Sequence, residues 1–172
     1  MILDLREFET FPAHVVLQGN PDELAVTFEE IHGIKAVEVE LTIQQTGEEQ
    51  FYCTGEVRAD TTLECARCLG EFTTRLIQEI DFIACTEDDR LSEAGEADDE
   101  DYAIFKSADK RADIGPLVTQ AIVLALDLKP LCDEACKGLC SQCGVNRNET
   151  TCGCKTEQID PRWEQLKNLL NK

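Results

Sequence analysis

Histidine is nearly missing from this chain: His14 and His32 are the only two in 172 residues. Neither lies near a serine or cysteine in a nucleophile pattern, so a triad-type hydrolase has no support in the sequence. Cations are scarce as well, with 16 Lys and Arg against 35 Asp and Glu, a formal charge of −19. Affinity for nucleic acid comes largely from cations that displace counterions around phosphates. A chain this acidic has no general attraction to RNA or DNA, although the acidity is also what plain solubility requires. Long apolar runs are absent; the longest covers residues 121–126, far short of a membrane span. No glycine-rich phosphate loop is present. The opening residues have neither the basic-then-apolar order of a secretory signal nor the acid-poor composition of a transit peptide, which points to a cytoplasmic protein.

Cysteine, in contrast, is plentiful, with ten residues. In a reducing compartment, closely paired cysteines argue for metal ahead of disulfides. Eight form close pairs: Cys65-Ala-Arg-Cys68, Cys132-Asp-Glu-Ala-Cys136, Cys140-Ser-Gln-Cys143 and Cys152-Gly-Cys154. Zinc prefers four tetrahedral ligands, and a closed set of four thiolates is a structural site. Two ligands two or three residues apart reach one ion from a single tight turn. Glycine nearby (Gly70, Gly144 and Gly153) would let the backbone fold close around sulfur. Four pairs make two complete sites with no ligand spare, hence two Zn2+ per chain.

The pairing is open between two partitions. The favoured one closes Cys140, Cys143, Cys152 and Cys154 locally and joins Cys65 and Cys68 to Cys132 and Cys136. The rival joins Cys65 and Cys68 to Cys152 and Cys154. Iron can replace zinc on four thiolates, so a rubredoxin-like redox protein is the alternative from another class. Catalytic zinc keeps an open position, which eight paired cysteines argue against. Cys53 and Cys85 lack partners at ligand spacing and read as buried apolar residues. Asn148-Glu-Thr150 matches a glycosylation sequon, which has no meaning in the cytoplasm. Arg67, Lys137 and Arg147 stand in or beside the cysteine turns, to screen the negative sites or to touch RNA phosphate.

The first two thirds read as sheet. Val37, Val39, Leu41 and Ile43 alternate with Glu38, Glu40 and Thr42, the period of a strand with one wet face. Residues 51–63 form a second strand, with Phe51, Cys53, Val57 and Leu63 on one face, and residues 74–84 a third, with Leu76, Ile80 and Phe82. Short links between them predict an antiparallel meander. Residues 24–28 are a weaker strand, and residues 1–20 have no clear pattern. Residues 87–101 carry nine acidic side chains and one basic, and read as a mobile loop. Residues 113–128 read as a largely buried helix through Ile114, Leu117, Val118, Ala121, Ile122 and Ala125, capped by Asp113 and stopped by Pro130. Trp163, Leu166, Leu169 and Leu170 follow Asp160-Pro161 in a short amphipathic helix.

The expected fold is α+β: an antiparallel meander packed on a buried helix over residues 1–128, then a zinc-knuckle module over residues 129–172, tied back through Cys65 and Cys68. No small-molecule substrate site is evident.

Together these motifs resemble the YceD family of large ribosomal RNA subunit accumulation proteins. The matching pieces are Gly55-Glu-Val57, Leu63-Glu-Cys-Ala-Arg-Cys-Leu69, Asp113-Ile-Gly115 and its apolar helix, and Lys129-Pro-Leu-Cys132. Cys136-Lys-Gly-Leu-Cys140-Ser-Gln-Cys-Gly144, Cys152-Gly-Cys154 and Asp160-Pro-Arg162 complete the match, over about residues 50–172. Asp127 departs from a proline common in the family. Members that lack the last cysteine pairs keep the first turn and a pair after the helix, which implies the favoured partition. The resemblance implies a non-catalytic role in ribosome assembly. The partner would be a basic ribosomal protein or pre-ribosomal particle, with direct ribosomal RNA binding as the further alternative.

Overall fold

A computed structural model describes residues 1–21, 24, 31–88 and 102–154. Its centre is three long antiparallel strands: β3 (Ile31–Gln45), β4 (Gln50–Glu64) and β5 (Glu71–Cys85). β2 (Ala13–Gly19) adds to the outer edge of β3, and β6 (Tyr102–Ile104) to β5, giving the order β2-β3-β4-β5-β6. The meander read from the alternation is present through β5. β6 departs from it by pairing parallel to β5, because the chain leaves the end of β5 and returns in the same direction. β1 (Ile2–Asp4) and β7 (Arg111–Asp113) form a separate two-stranded clasp that leads into the helix.

Strict side-chain alternation sorts the sheet into two faces. Val37, Val39, Leu41 and Ile43 of β3, and Phe51, Cys53, Val57, Ala59 and Leu63 of β4, are all buried on one of them. Leu76, Phe82 and Ala84 of β5 complete that face. Thr61 is buried there too, and its hydroxyl donates to the Thr74 carbonyl at 3.2 Å, so its polarity is satisfied. Phe8, Phe11, Phe51 and Phe105 close one end with tilted ring contacts, the nearest centroids 5.3 Å apart. Cys53 and Cys85 are wholly buried in this core, as apolar residues would be, and burial pushes the Cys53 thiol up to about 12.

The helix α1 (Gly115–Leu124) packs on β4 and β5. It is shorter than the 113–128 read from the apolar pattern. At its start, Asp113 belongs to β7, and its carboxylate accepts the Gly115 N–H at 2.9 Å from outside the helix. Pro116, lacking an N–H, is tolerated in the first turn. At its end, Ala125 is the last cap, so Pro130 lies too far on to be the stop. The helix is also less buried than expected. Val118, Ala121 and Ile122 are covered, whereas Leu124 is 68% exposed and Leu128 wholly so.

Of the strand expected over residues 24–28, only Leu24 is described, as a buried bend. Nearly all of the acidic stretch (residues 89–101) and the expected terminal helix lie outside the described residues.

Candidate metal centre

β4 and β5 are long enough to carry their connecting turn beyond the core, and that turn holds Cys65 and Cys68. The Cys65 N–H donates to Gly70 O at 3.0 Å, and the Leu69 N–H to Cys65 O at 2.9 Å. Leu69 takes the left-handed conformation (φ 55°) that glycine would ordinarily fill, so neighbouring Gly70 needs no special freedom. After α1 the chain returns to this turn: Ala66 N–H donates to Pro130 O at 2.8 Å. Cys132 and Cys136 follow on a short bend in which the Cys136 N–H reaches Asp133 O and the Ala135 N–H reaches the Asp133 carboxylate.

Arg67 locks the two segments together. Its guanidinium donates to Glu134 O at 2.9 Å and Cys136 O at 3.0 Å, and its own carbonyl accepts the Leu139 N–H at 3.0 Å. Gly138 (φ +66°) lies so close that a Cβ there would sit 2.8 Å from Arg67 O. Arg67 is therefore a clamp on two carbonyls rather than an unengaged charge.

The remaining turn repeats the same local chemistry. Gly144 (φ +73°) donates its N–H to Cys140 O at 2.9 Å, and Cys140 N–H donates to Val145 O at 2.8 Å. Gly153, expected to let Cys152 and Cys154 converge, has open space around it and no left-handed φ, so a side chain would fit. Asn148, in the loop after Cys143, reaches back to the Cys132–Cys136 bend. Its amide donates to the Cys136 sulfur at 3.2 Å, and its oxygen accepts the Lys137 N–H at 2.8 Å.

The eight sulfurs gather in two sets, Cys65, Cys68, Cys132 and Cys136, and Cys140, Cys143, Cys152 and Cys154. Within each set the ligand atoms all lie within 4.8 Å of one another. This is the grouping of the first partition. Sγ separations of 3.9 Å (Cys65 to Cys136) and 3.8 Å (Cys68 to Cys132) exclude disulfides, which need about 2.05 Å. A zinc–sulfur bond of about 2.3 Å in tetrahedral geometry gives an edge of about 3.8 Å. The first set thus has the dimensions of a four-thiolate metal site, and either set can hold an ion.

Each set also divides its protons unevenly. Burial raises the Cys65 thiol, but N–H donors from Cys132, Arg67 and Cys68 outweigh it and hold it at about 6. Cys136 is lowered by the Asn148 amide and then the Gly138 N–H. Backbone N–H groups of Cys143 and Gln142 bring Cys140 to about 6. Against these anions, Cys132 rises to about 12 through Cys65, and Cys154 to about 12 through Cys143. Four thiolates cannot crowd together without a cation; a dication supplies that charge.

The stretch holding these turns matches the family described as large ribosomal RNA subunit accumulation protein YceD, over residues 53–170. The chain belongs to the YceD family. An uncharacterized protein of Mycobacterium tuberculosis is 35% identical over 117 residues, 68% of this chain and 54% of the relative. A large ribosomal RNA subunit accumulation protein YCED homolog 1, chloroplastic, of Arabidopsis thaliana is 36% identical over 70 residues, 41% of this chain and 22% of the relative. Its Zea mays counterpart is 39% identical over 61 residues, 35% of this chain and 21% of the relative. The chain therefore spans about half the length, or less, of these curated relatives. No solved structure matches it. No helix among the described residues is long and apolar enough to cross a membrane. In this YceD chain, spacing alone could have drawn attention to the eight cysteines; Gly138 and Asn148 carried no comparable signal.

Proposed function

We propose that this chain is a non-catalytic, zinc-stabilised assembly factor that supports accumulation of the large-subunit ribosomal RNA in the cytoplasm. All eight clustered cysteines are the ligands, four to each of two Zn2+, and residues 129–172 form the module tied to the sheet through Cys65 and Cys68. The observation that carries this reading is the family match over residues 53–170, which encloses both cysteine sets. Zinc is redox-silent and, with four protein ligands, has no open position for substrate, so its contribution is folding energy.

The partner is a basic ribosomal protein, free or in a pre-ribosomal particle. The charge of −19 supports that choice over naked RNA, which most of this surface would repel. Arg67, one of the three cations suited to phosphate, already has its guanidinium engaged by two carbonyls. Lys137 and Arg147 are the cations left beside the turns for a local RNA contact.

Depleting the protein from its host tests the proposal. Large-subunit ribosomal RNA should fall relative to small-subunit RNA, and the wild-type chain should restore it while Cys68→Ser and Cys143→Ser should not. An unchanged ratio in depleted cells would overturn the assignment.

A further inference from the structure

The face of the sheet opposite the core has a charge pattern that folding does not explain. Strand register places Glu40 directly opposite Glu56, and Glu56 directly opposite Glu79, so three glutamates lie in one row across β3, β4 and β5. The next row runs His14, Thr42, Thr54 and Asp81. Like charges directly opposite on neighbouring strands destabilise a sheet. Arg58, one row away, is the single cation against Glu38, Glu40 and Glu56, which it meets at 3.4, 3.0 and 2.6 Å. Among the described residues, no cation pairs with Glu79 or Asp81.

The same face has relief. Thr42, Thr54 and Gly55 floor a shallow depression walled by Glu40, Glu56, Glu79, Asp81 and Tyr52. Gly55 lets β3 and β4 approach closely beneath it, since a Cβ there would lie 1.8 Å from the Glu40 carbonyl oxygen. Exposed apolar groups flank the acidic rows: Val16 (57%), Tyr52 (37%) and Ile77 (53%). No described element covers this face, since α1 and the β1–β7 clasp pack on the other side.

We propose that this open face of β2–β5 is the docking surface for the partner, and that its occupant is an extended Lys- and Arg-rich protein segment. The assignment rests on the basic-partner reading above and gives it a place. Charge complementarity selects the occupant: around the depression five carboxylates to one guanidinium would repel RNA, while apolar flanks and Tyr52 suit the aliphatic stems of Lys and Arg. A second copy of the chain would set acid against acid.

The test uses the full zinc-loaded chain, isotope-labelled, and a synthetic decapeptide of alternating Lys and Arg at physiological salt. The peptide should shift amide signals at residues 40, 54–56 and 79–81. Combining Glu40→Gln, Glu56→Gln, Glu79→Gln and Asp81→Asn should weaken its binding at least tenfold, with zinc content and thermal melting retained. A control chain with the acidic residues of 87–101 changed to amides should still show the same sheet shifts. Shifts confined to residues 87–101, or equal binding by the fourfold variant, would overturn the assignment.

Capture of ribosomal proteins separates this idea from the functional proposal. If wild type and the fourfold variant capture the same basic ribosomal protein equally, the face is wrong and the function stands. If neither captures one while the peptide still maps to the sheet, the function fails and the surface stands.

Discussion

Replacing Gly138 and Gly144 by alanine, one at a time, separates two costs that sequence inspection would treat as equal. Both residues have positive φ, +66° and +73°, so a side chain at either costs about 1–2 kcal/mol in backbone strain. At Gly144 nothing lies within 4 Å of the new Cβ, and that strain is the whole effect. At Gly138 the Cβ would sit 2.8 Å from the Arg67 carbonyl, a backbone atom that also accepts the Leu139 N–H at 3.0 Å. Relieving the contact loosens that hydrogen bond, worth about 0.5–1.5 kcal/mol. Gly138→Ala should therefore cost about 2–3 kcal/mol in all. Because binding free energy is folding free energy in such modules, the loss reads out as metal affinity, roughly 30- to 150-fold. Competition between the zinc-loaded full chain and a chromophoric chelator measures it, with amide signals of residues 65–70 reporting the first site. Gly144→Ala should cost about 5- to 30-fold and act on the second site. If Gly138→Ala proves as mild as Gly144→Ala, or leaves residues 65–70 undisturbed, the back-to-back packing of the two turns is refuted.

Arg67→Lys replaces the planar guanidinium whose Nη1 reaches two carbonyls while keeping the charge, so chelator competition should show weaker zinc retention at the first site and little change at the second. Retention equal to wild type would mean charge screening suffices. His32 Nδ1 lies 2.8 Å from Glu71, and that hydrogen bond raises its pKa above 6.5. A raised histidine pKa stabilises the fold fully below the unfolded value, and the contribution is lost as pH rises through the folded one. Titration of the ring by NMR should give a midpoint above 6.5 that falls in Glu71→Gln. Cys53, buried with its thiol pushed up to about 12, should resist alkylation in the folded chain, and Cys53→Ser should lower stability by about 1–3 kcal/mol in urea unfolding.

The three long strands were legible because each keeps one dry face over many residues, from Val37 to Ile43 and from Phe51 to Leu63. The grouping of the cysteines was legible as far as pair spacing goes; the sequence left two partitions, and contacts between residues 65–70 and 130–139 separate them. Strands β1 and β7 were invisible, since three residues carry no measurable period and their pairing spans most of the chain. The helix is shorter than its apolar pattern because Ala125, Leu126 and Leu128 continue that pattern after the backbone has turned away, which leaves Leu128 in solvent. Gly138 carried no signal and Arg67 stood out only as a charge, for one shared reason. Their roles exist only where two turns distant in sequence meet.

Elemental analysis of the full chain, purified without chelator, tests the central claim most directly. The account predicts two zinc per chain, one remaining in Cys68→Ser and one in Cys143→Ser, with no disulfide by intact mass. Iron as the main metal, a single ion shared by both cysteine sets, or oxidised pairs would contradict it.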